Sequence, residues 1–284
     1  MATSNPEEGR THGADCDLVF GEPVLIREVL PAMSHLIWVQ ATWAGVEPLL
    51  EPGVRRDYLL TNARGVFGDL MSEYVFAYLL LHERRILERY QAQLERRWDP
   101  SETGVLRGKR LGLLGVGSIG SELAHTAKHF KMVVSGYTRR SEACPDVDAY
   151  FHGSDLLEFA RGLDYLVNLL PGTSETRQLV NAALLAALPA RAMFINVGRG
   201  SAVDEAALAE VLKAGKLAGA VLDVLNEEPL PPDHFFWNTP NLLISSHTAA
   251  PSFPEDVARL FVENYRLLLE GKALNYQVDF VRGY

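Results

Sequence analysis

The three glycines of Gly115-Val-Gly117-Ser-Ile-Gly120 constrain this chain more than any other feature. The apolar run Leu111-Gly-Leu-Leu114 before them predicts a short buried strand, and Ile119, Leu123, Ala127 and Phe130 recur on one face of a following helix. Strand, turn and helix in that order suit a dinucleotide. Gly115 lets the chain turn sharply, Gly117 leaves room for a pyrophosphate against the backbone, and Gly120 lets the helix approach its strand. The anion would rest on the N–H groups that open the helix at Ser118 and Ile119 and on the positive end of its dipole. A second strand, Met132 to Tyr137, completes a βαβ unit.

Alternating elements continue beyond it. Tyr165 to Leu170, Met193 to Val197, Ala220 to Val224 and Leu242 to Ser245 are short apolar strands, with helices at Asn181 to Leu188 and Asp204 to Ala214. This pattern predicts an α/β fold, a doubly wound parallel sheet whose ligand lies at the carboxyl ends of the strands. Upstream, Leu18 to Phe20 and Leu36 to Gln40 are strands around a proline-opened helix, Pro23 to Leu30, and residues 1 to 16 are polar and read as frayed. Asp69 to Trp98 reads as one long helical stretch, apolar early and charged late. An amphipathic helix, Pro254 to Glu270, runs back before the tail. At 284 residues two domains are expected: a discontinuous one over 1–82 and 255–284, and a dinucleotide-binding one over 83–254.

The net charge of −9 argues against a general binder of nucleic acid or anionic membrane. No apolar run is long enough to span a membrane and the opening residues do not form a signal peptide, so a cytoplasmic location is expected. Cys16 and Cys144 form no metal or disulfide pattern, and no metal is expected. His125 and His129 stand one helical turn apart without a third ligand. Neither they nor His12, His35, His82, His152 and His234 receive a role.

The strand ends gather three reactive side chains on one sheet edge: Arg199 after Met193 to Val197, Glu228 after Ala220 to Val224, and His247 after Leu242 to Ser245. Hydride transfer to or from a 2-hydroxy acid uses this set. Arg199 offers a planar fork for a carboxylate. His247 can give a proton to the carbonyl oxygen as hydride arrives. Glu228 beside the imidazole would stabilise its charged form and orient it. The small-residue loop Ala41-Thr-Trp-Ala-Gly-Val46 could present backbone N–H groups to a carboxylate beside Trp43, or be a plain strand-to-helix connection with Trp43 in the core.

The segments Gly115-Val-Gly-Ser-Ile-Gly120, Asn168-Leu-Leu-Pro171 with Glu175-Thr176, Asn196-Val-Gly-Arg-Gly200, Leu222-Asp-Val224 with Glu228-Pro229, and His247 with Ala249-Ala250 resemble, in order and spacing, the D-isomer-specific 2-hydroxyacid dehydrogenase family. Within it the chain is most similar to the glyoxylate/hydroxypyruvate reductase A group, through Asn226-Glu-Glu-Pro-Leu-Pro-Pro232 and the tail Gln277-Val-Asp279. The resemblance implies a Rossmann cofactor domain beside a smaller flavodoxin-like α/β substrate domain, shortened at its N-terminus, and a homodimer. It gives Arg199, Glu228 and His247 the roles above. It adds Leu170, Pro171, Thr176, Val197, Gly198 and Ala249 to the cofactor site, with Asp223 facing the nicotinamide carboxamide. Ala44 and Gly45 would hold the substrate carboxylate, with Trp43 shaping the pocket.

The second strand ends Tyr137-Thr138-Arg139-Arg140, a threonine and two arginines where an NAD-specific chain carries an acid. Two guanidiniums suit the 2′-phosphate of NADP, each contact worth on the order of 1–4 kcal/mol. NADP(H) is therefore expected over NAD(H). The expected activity is reduction of small 2-oxo acids, glyoxylate and hydroxypyruvate first. The alternatives are a dehydrogenase of a bulkier D-2-hydroxy acid and a non-catalytic protein that senses NAD(P) and binds partners.

Overall fold

The computed structural model describes residues 2–283. In chain order these form α1 (Pro6–His12), β1 (Leu18–Gly21), α2 (Pro23–Val29), β2 (Trp38–Ala41), α3 (Glu47–Leu50), β3 (Leu59–Thr61), α4 (Gly68–Glu83) and α5 (Ile86–Leu94). There follow β4 (Arg110–Leu114), α6 (Ser118–His129), β5 (Val133–Tyr137), β6 (Ala149–Phe151), α7 (Leu156–Ala160) and β7 (Tyr165–Asn168). The remainder is α8 (Ala182–Ala187), β8 (Met193–Asn196), α9 (Glu205–Lys213), β9 (Gly219–Leu222), β10 (Leu242–Ile244) and α10 (Pro254–Leu269). Two compact units result, Met1–Val66 with Ser252–Tyr284, and Phe67–Pro251.

The larger unit is a seven-stranded sheet in the order β10-β9-β8-β7-β4-β5-β6, parallel throughout. Successive side chains of a strand point to opposite faces, and both faces here are covered. Leu114, Phe194 and Leu222 enter one apolar layer with Phe159 and Leu208, while Leu113, Ile195 and Val221 enter the other with Leu123 and Leu79. The chain winds outward from β4 in one direction through β5 and β6, and from β7 in the other through β8 to β10. The direction reverses between β4 and β7, which is where a doubly wound sheet binds its ligand.

Asp69 to Trp98 forms two helices rather than one. Arg85 takes a left-handed conformation (φ 51°) between α4 and α5 and breaks the hydrogen-bond ladder there. The expected boundary after residue 82 also moves. Met71, Val75, Phe76 and Leu79 of α4 pack into the second apolar layer of the sheet. At the helix end the buried Glu83 carboxylate accepts hydrogen bonds from the Tyr165 hydroxyl and, at 3.1 Å, from Lys109 Nζ. Burial together with the glutamate pushes the Tyr165 hydroxyl above the usual phenol range. Apolar packing and this buried polar cluster thus place α4 in the larger unit, so that the chain divides at Val66/Phe67 and Pro251/Ser252.

In the smaller unit β1, β2 and β3 form a parallel sheet in that order. The segment expected to fray contains α1, because Asn5 Oδ1 accepts from Glu7 N at 2.9 Å, Pro6 opens the helix and Glu7 and Glu8 occupy its first turn. A buried polar chain ties α10 to the sheet. Gln40 Oε1 accepts from Thr61 Oγ1 at 2.7 Å and from Asn264 Nδ2 at 3.0 Å, and Asn264 Oδ1 accepts from Asn275 N at 2.7 Å. The Gln40, Thr61 and Asn264 side chains are each buried with a partner, which is the condition for such a chain to stabilise a core.

Loop packing in the larger unit gives a direct test. A Cβ at Gly200 would lie 2.0 Å from the Leu225 carbonyl carbon and 2.1 Å from its oxygen, backbone that cannot step aside as a side chain can. Gly200→Ala is expected to cost about 3 kcal/mol, the upper end for overpacking, and to lower Tm by at least about 4 °C. Thermal unfolding of the variant checks it, and an unchanged Tm would show that these loops are not in contact.

Candidate active site

The turn after β4 is built for close approach. Gly115 has φ 98°, a conformation that favours glycine, and a Cβ on Gly120 would lie 2.5 Å from the Gly115 carbonyl oxygen. Helix α6 therefore starts hard against the strand end. Its N-cap residue, Gly117, is extended and offers no side chain, leaving the opening turn at Ser118 and Ile119 without a side-chain cap. Partly buried Leu170 lies over this turn, since a Cβ on Gly115 would meet Leu170 Cδ2 at 3.3 Å. The shape fits a dinucleotide pyrophosphate, whose oxygens need backbone donors and no intervening side chain.

Two buried asparagines fix the next loops. Asn168 Nδ2 donates to Asn196 Oδ1 at 2.8 Å, and Asn168 Oδ1 accepts from Leu170 N at 3.3 Å. Asn196 Oδ1 also accepts from Gly198 N at 3.2 Å, while Asn196 Nδ2 donates to the Arg199 carbonyl at 3.2 Å. The loop beyond Pro171 is closed by Thr176, whose Oγ1 donates to Pro171 O at 2.6 Å and accepts from Thr173 N at 2.9 Å. Val197 and Gly198 are buried between these braces.

Arg199, Glu228 and His247 follow β8, β9 and β10, three neighbouring strands of the sheet. His247 Nδ1 lies 2.8 Å from Glu228 Oε2, and Glu228 Oε1 accepts from Leu225 N at 2.8 Å. Arg199 Nη1 donates to the Gly198 carbonyl at 2.8 Å. His247 itself is left-handed (φ 55°), a conformation histidine reaches more readily than most residues. What holds it there is Asp223, only 3% exposed. Its Oδ1 accepts from Ser245 Oγ at 2.7 Å and Thr248 N at 2.8 Å, its Oδ2 from Ala249 N at 3.1 Å, and its carbonyl from His247 N at 2.9 Å. Tyr74 of α4 shares a 2.6 Å hydrogen bond with Ser245, and burial pushes its hydroxyl above the usual phenol range. Asp223, assigned by resemblance to the cofactor, thus also organises the loop that carries the histidine.

Sequence reasoning passed over His152. It follows β6, a three-residue strand too short for its pattern to register, and it reaches back to the end of β5. Its Nδ1 lies 2.9 Å from the Thr138 carbonyl and its Nε2 2.8 Å from Glu142 Oε1. Buried Thr138 in turn donates from Oγ1 to Ser141 O at 2.8 Å, so the turn that carries Arg139 and Arg140 is tied at both ends. Both arginines are exposed, and Arg139 forms an ion pair with Glu175.

In the smaller unit Trp43, Ala44 and Gly45 follow β2. Asn62 Nδ2 donates to Ala44 O at 2.8 Å, Ala63 N to Trp43 O at 3.0 Å and Ser252 Oγ to Thr42 O at 3.1 Å. With its carbonyls held this way the loop presents Trp43 at 41% exposure rather than burying it. His125 pairs with Asp146 at 3.1 Å beside His129. Among the described residues no group of three or more His, Cys, Asp or Glu could hold a metal ion, and no helix is long and apolar enough to cross a membrane. Cys16 and Cys144 are free thiols.

A parallel sheet with a glycine cradle at its switch point and an Arg, Glu and His on the same edge defines a nicotinamide-dependent dehydrogenase. Residues 76–249 match the model of the D-isomer specific 2-hydroxyacid dehydrogenase, NAD binding domain. Glyoxylate/hydroxypyruvate reductase A of Yersinia enterocolitica is 34% identical over 97% of this chain and 90% of its own length. A solved D-isomer specific 2-hydroxyacid dehydrogenase family protein from Aeromonas salmonicida is 40% identical with a TM-score of 0.91, covering 98% of this chain and 90% of that one. The solved NADPH-dependent glyoxylate/hydroxypyruvate reductase of Sinorhizobium meliloti, in complex with NADP and sulfate, is 30% identical with a TM-score of 0.88, over 99% and 90%. The chain belongs to the D-isomer-specific 2-hydroxyacid dehydrogenase family and is an NAD(P)-dependent oxidoreductase of that family.

The His152 brace makes the turn after β5 sensitive to pH. Its hydrogen bond to Glu142, and then that to the Thr138 carbonyl, raise the His152 pKa above the ordinary value. A raised folded value means that the stabilisation is complete below about pH 6.5, the unfolded value, and is lost as pH rises through the folded one. His152→Gln is expected to abolish that part of the fall in stability above about pH 6.5. Denaturant unfolding across this range, with the His152 ring titration followed by NMR, checks it; a variant with the parent's pH dependence would contradict the brace.

Proposed function

We propose that this protein is an NADPH-dependent reductase of small 2-oxo acids, glyoxylate and hydroxypyruvate foremost. The observation that carries the reading is the 2.8 Å contact between His247 Nδ1 and Glu228 on a strand-end edge. With Nδ1–H donated to the carboxylate, Nε2 carries the proton that goes to the substrate oxygen. Glu228 accepts from the imidazole and fixes its orientation. Arg199 holds the substrate carboxylate with its planar fork and polarises the adjacent carbonyl. In the smaller unit, the family resemblance gives the backbone N–H groups of Ala44 and Gly45 to substrate binding, with Trp43 beside them.

Bound nicotinamide supplies the hydride. Gly115, Gly117, Ser118, Ile119 and Gly120 receive its pyrophosphate, with Leu170, Pro171, Thr176, Val197, Gly198, Asp223 and Ala249 lining the rest of its path. Arg139 and Arg140 receive the 2′-phosphate after Thr138, which stands at the strand end where an NAD-specific chain carries an acid. The NADP complex of the Sinorhizobium relative supports this preference.

The test is oxidation of reduced nicotinamide by the purified protein. With glyoxylate or hydroxypyruvate, NADPH is expected to exceed NADH by at least about tenfold in kcat/KM, one favourable charge contact converted at roughly 1.4 kcal/mol per decade. His247→Ala is expected to lose about 10²–10⁴ in kcat. Glu228→Ala is expected to lower kcat, because the imidazole loses the acceptor that fixes its orientation. Full activity in His247→Ala would remove the histidine from the reaction; no turnover with either substrate would leave the non-catalytic reading.

The assembly proposed is a homodimer. Helix α5 exposes Ile86, Leu87, Tyr90 and Leu94, and Trp98 just beyond it is 91% exposed, an apolar set that a second copy of the chain would cover. Light scattering is expected to give twice the mass of 31.4 kDa for the parent. A Leu87→Glu/Leu94→Glu variant should give the monomer. A monomeric parent would refute the assembly.

A further inference from the structure

We propose that Glu175 tunes cofactor preference by competing with the cofactor's 2′-phosphate for Arg139, a proposal that rests on the NADPH reading above. Arg139 lies just past β5 and Glu175 lies in the loop after β7, and these strands flank β4 on its two sides. The Arg139–Glu175 ion pair therefore joins the loops on either side of the Gly115–Gly117 turn. Both loops are braced. Thr138 and His152 tie down the turn behind Arg139, and Thr176 closes the loop that carries Glu175.

The side chains themselves remain in water, 54% and 65% exposed. An ion pair between such groups is screened and readily exchanged. A phosphate monoester carries nearly two negative charges near neutral pH, against one on the glutamate, and its oxygens match the guanidinium fork. It displaces Glu175, at the cost of the pair it breaks and of leaving a carboxylate nearby. A ribose 2′-hydroxyl carries no charge and leaves the pair in place. Glu175 thus weakens NADP and leaves NAD untouched, so it lowers the discrimination that Arg139 creates.

Isothermal titration calorimetry of the full chain with NADP⁺, NAD⁺ and 2′,5′-ADP tests this without turnover. Glu175→Gln is expected to bind NADP⁺ and 2′,5′-ADP about two- to fivefold more tightly, the range for an exposed ion pair, with NAD⁺ unchanged. Arg139→Gln should weaken NADP⁺ at least about tenfold. In the double variant the gain from Glu175→Gln should vanish. Unchanged NADP⁺ affinity in Glu175→Gln, equal tightening for NAD⁺, or a gain that survives without Arg139 overturns the competition. If Arg139→Gln leaves NADP⁺ affinity intact, the assignment of Arg139 to the phosphate fails and this proposal falls with it. A weakened Arg139→Gln beside an unaffected Glu175→Gln overturns the competition alone.

Discussion

Seven parallel strands ending on one edge impose a problem that the rest of the larger unit answers. Each strand delivers a loop to that edge whose backbone N–H and C=O groups have left the sheet ladder and still need partners wherever they are buried. The chain supplies those partners from side chains at the strand ends themselves. Asn168 ends β7, Asn196 ends β8 and Asp223 follows β9, each buried and each bonding to loop backbone. An apolar residue at any of the three would leave polar groups of these loops without partners, at about 1–3 kcal/mol for each one buried.

Asp223 is the most consequential of these braces. A buried carboxylate is tolerated only where hydrogen bonds replace its hydration, and here three donors from the Ser245–Ala249 segment do so. The same bonds bend that segment until His247 projects toward Glu228 in a left-handed conformation. Removing the carboxylate would release both the loop and the strain it carries. The geometry of the proton donor is therefore set by a residue that need not share the proton.

Much of this was legible in the sequence because it rests on period and punctuation. The β4–α6–β5 unit announces itself through an apolar run, three glycines and a helical repeat, and the later strands through short apolar runs between helices. The edge they share followed from parallel pairing alone, and with it Arg199, Glu228 and His247. Other features carry no such signal. β3 and β6 have three residues each, too few for an alternation to stand out. The break between α4 and α5 rests on a left-handed Arg85, an ordinary residue in a conformation that only its surroundings select. The allegiance of α4 was hidden for the same reason, since Glu83 meets its partners Lys109 and Tyr165 only through tertiary folding. His152 reaches Thr138, 14 residues away in the chain, only because β5 and β6 pair side by side.

The two ends of the cofactor edge are built from different physical material, and this difference has a functional sense. Behind His247 the braces run through the buried Asp223 carboxylate, which takes three donors from one short segment, so the backbone that carries the ring is fixed while the ring and Glu228 face solvent. Around Arg139 the groups are exposed and long, their attractions screened within about 8–10 Å by ordinary salt. Proton donation depends on position to a fraction of an ångström. Choice between two cofactors depends only on the sign and sum of a few charges, and an exposed ion pair is the arrangement that lets that sum be altered without disturbing the buried braces beside it.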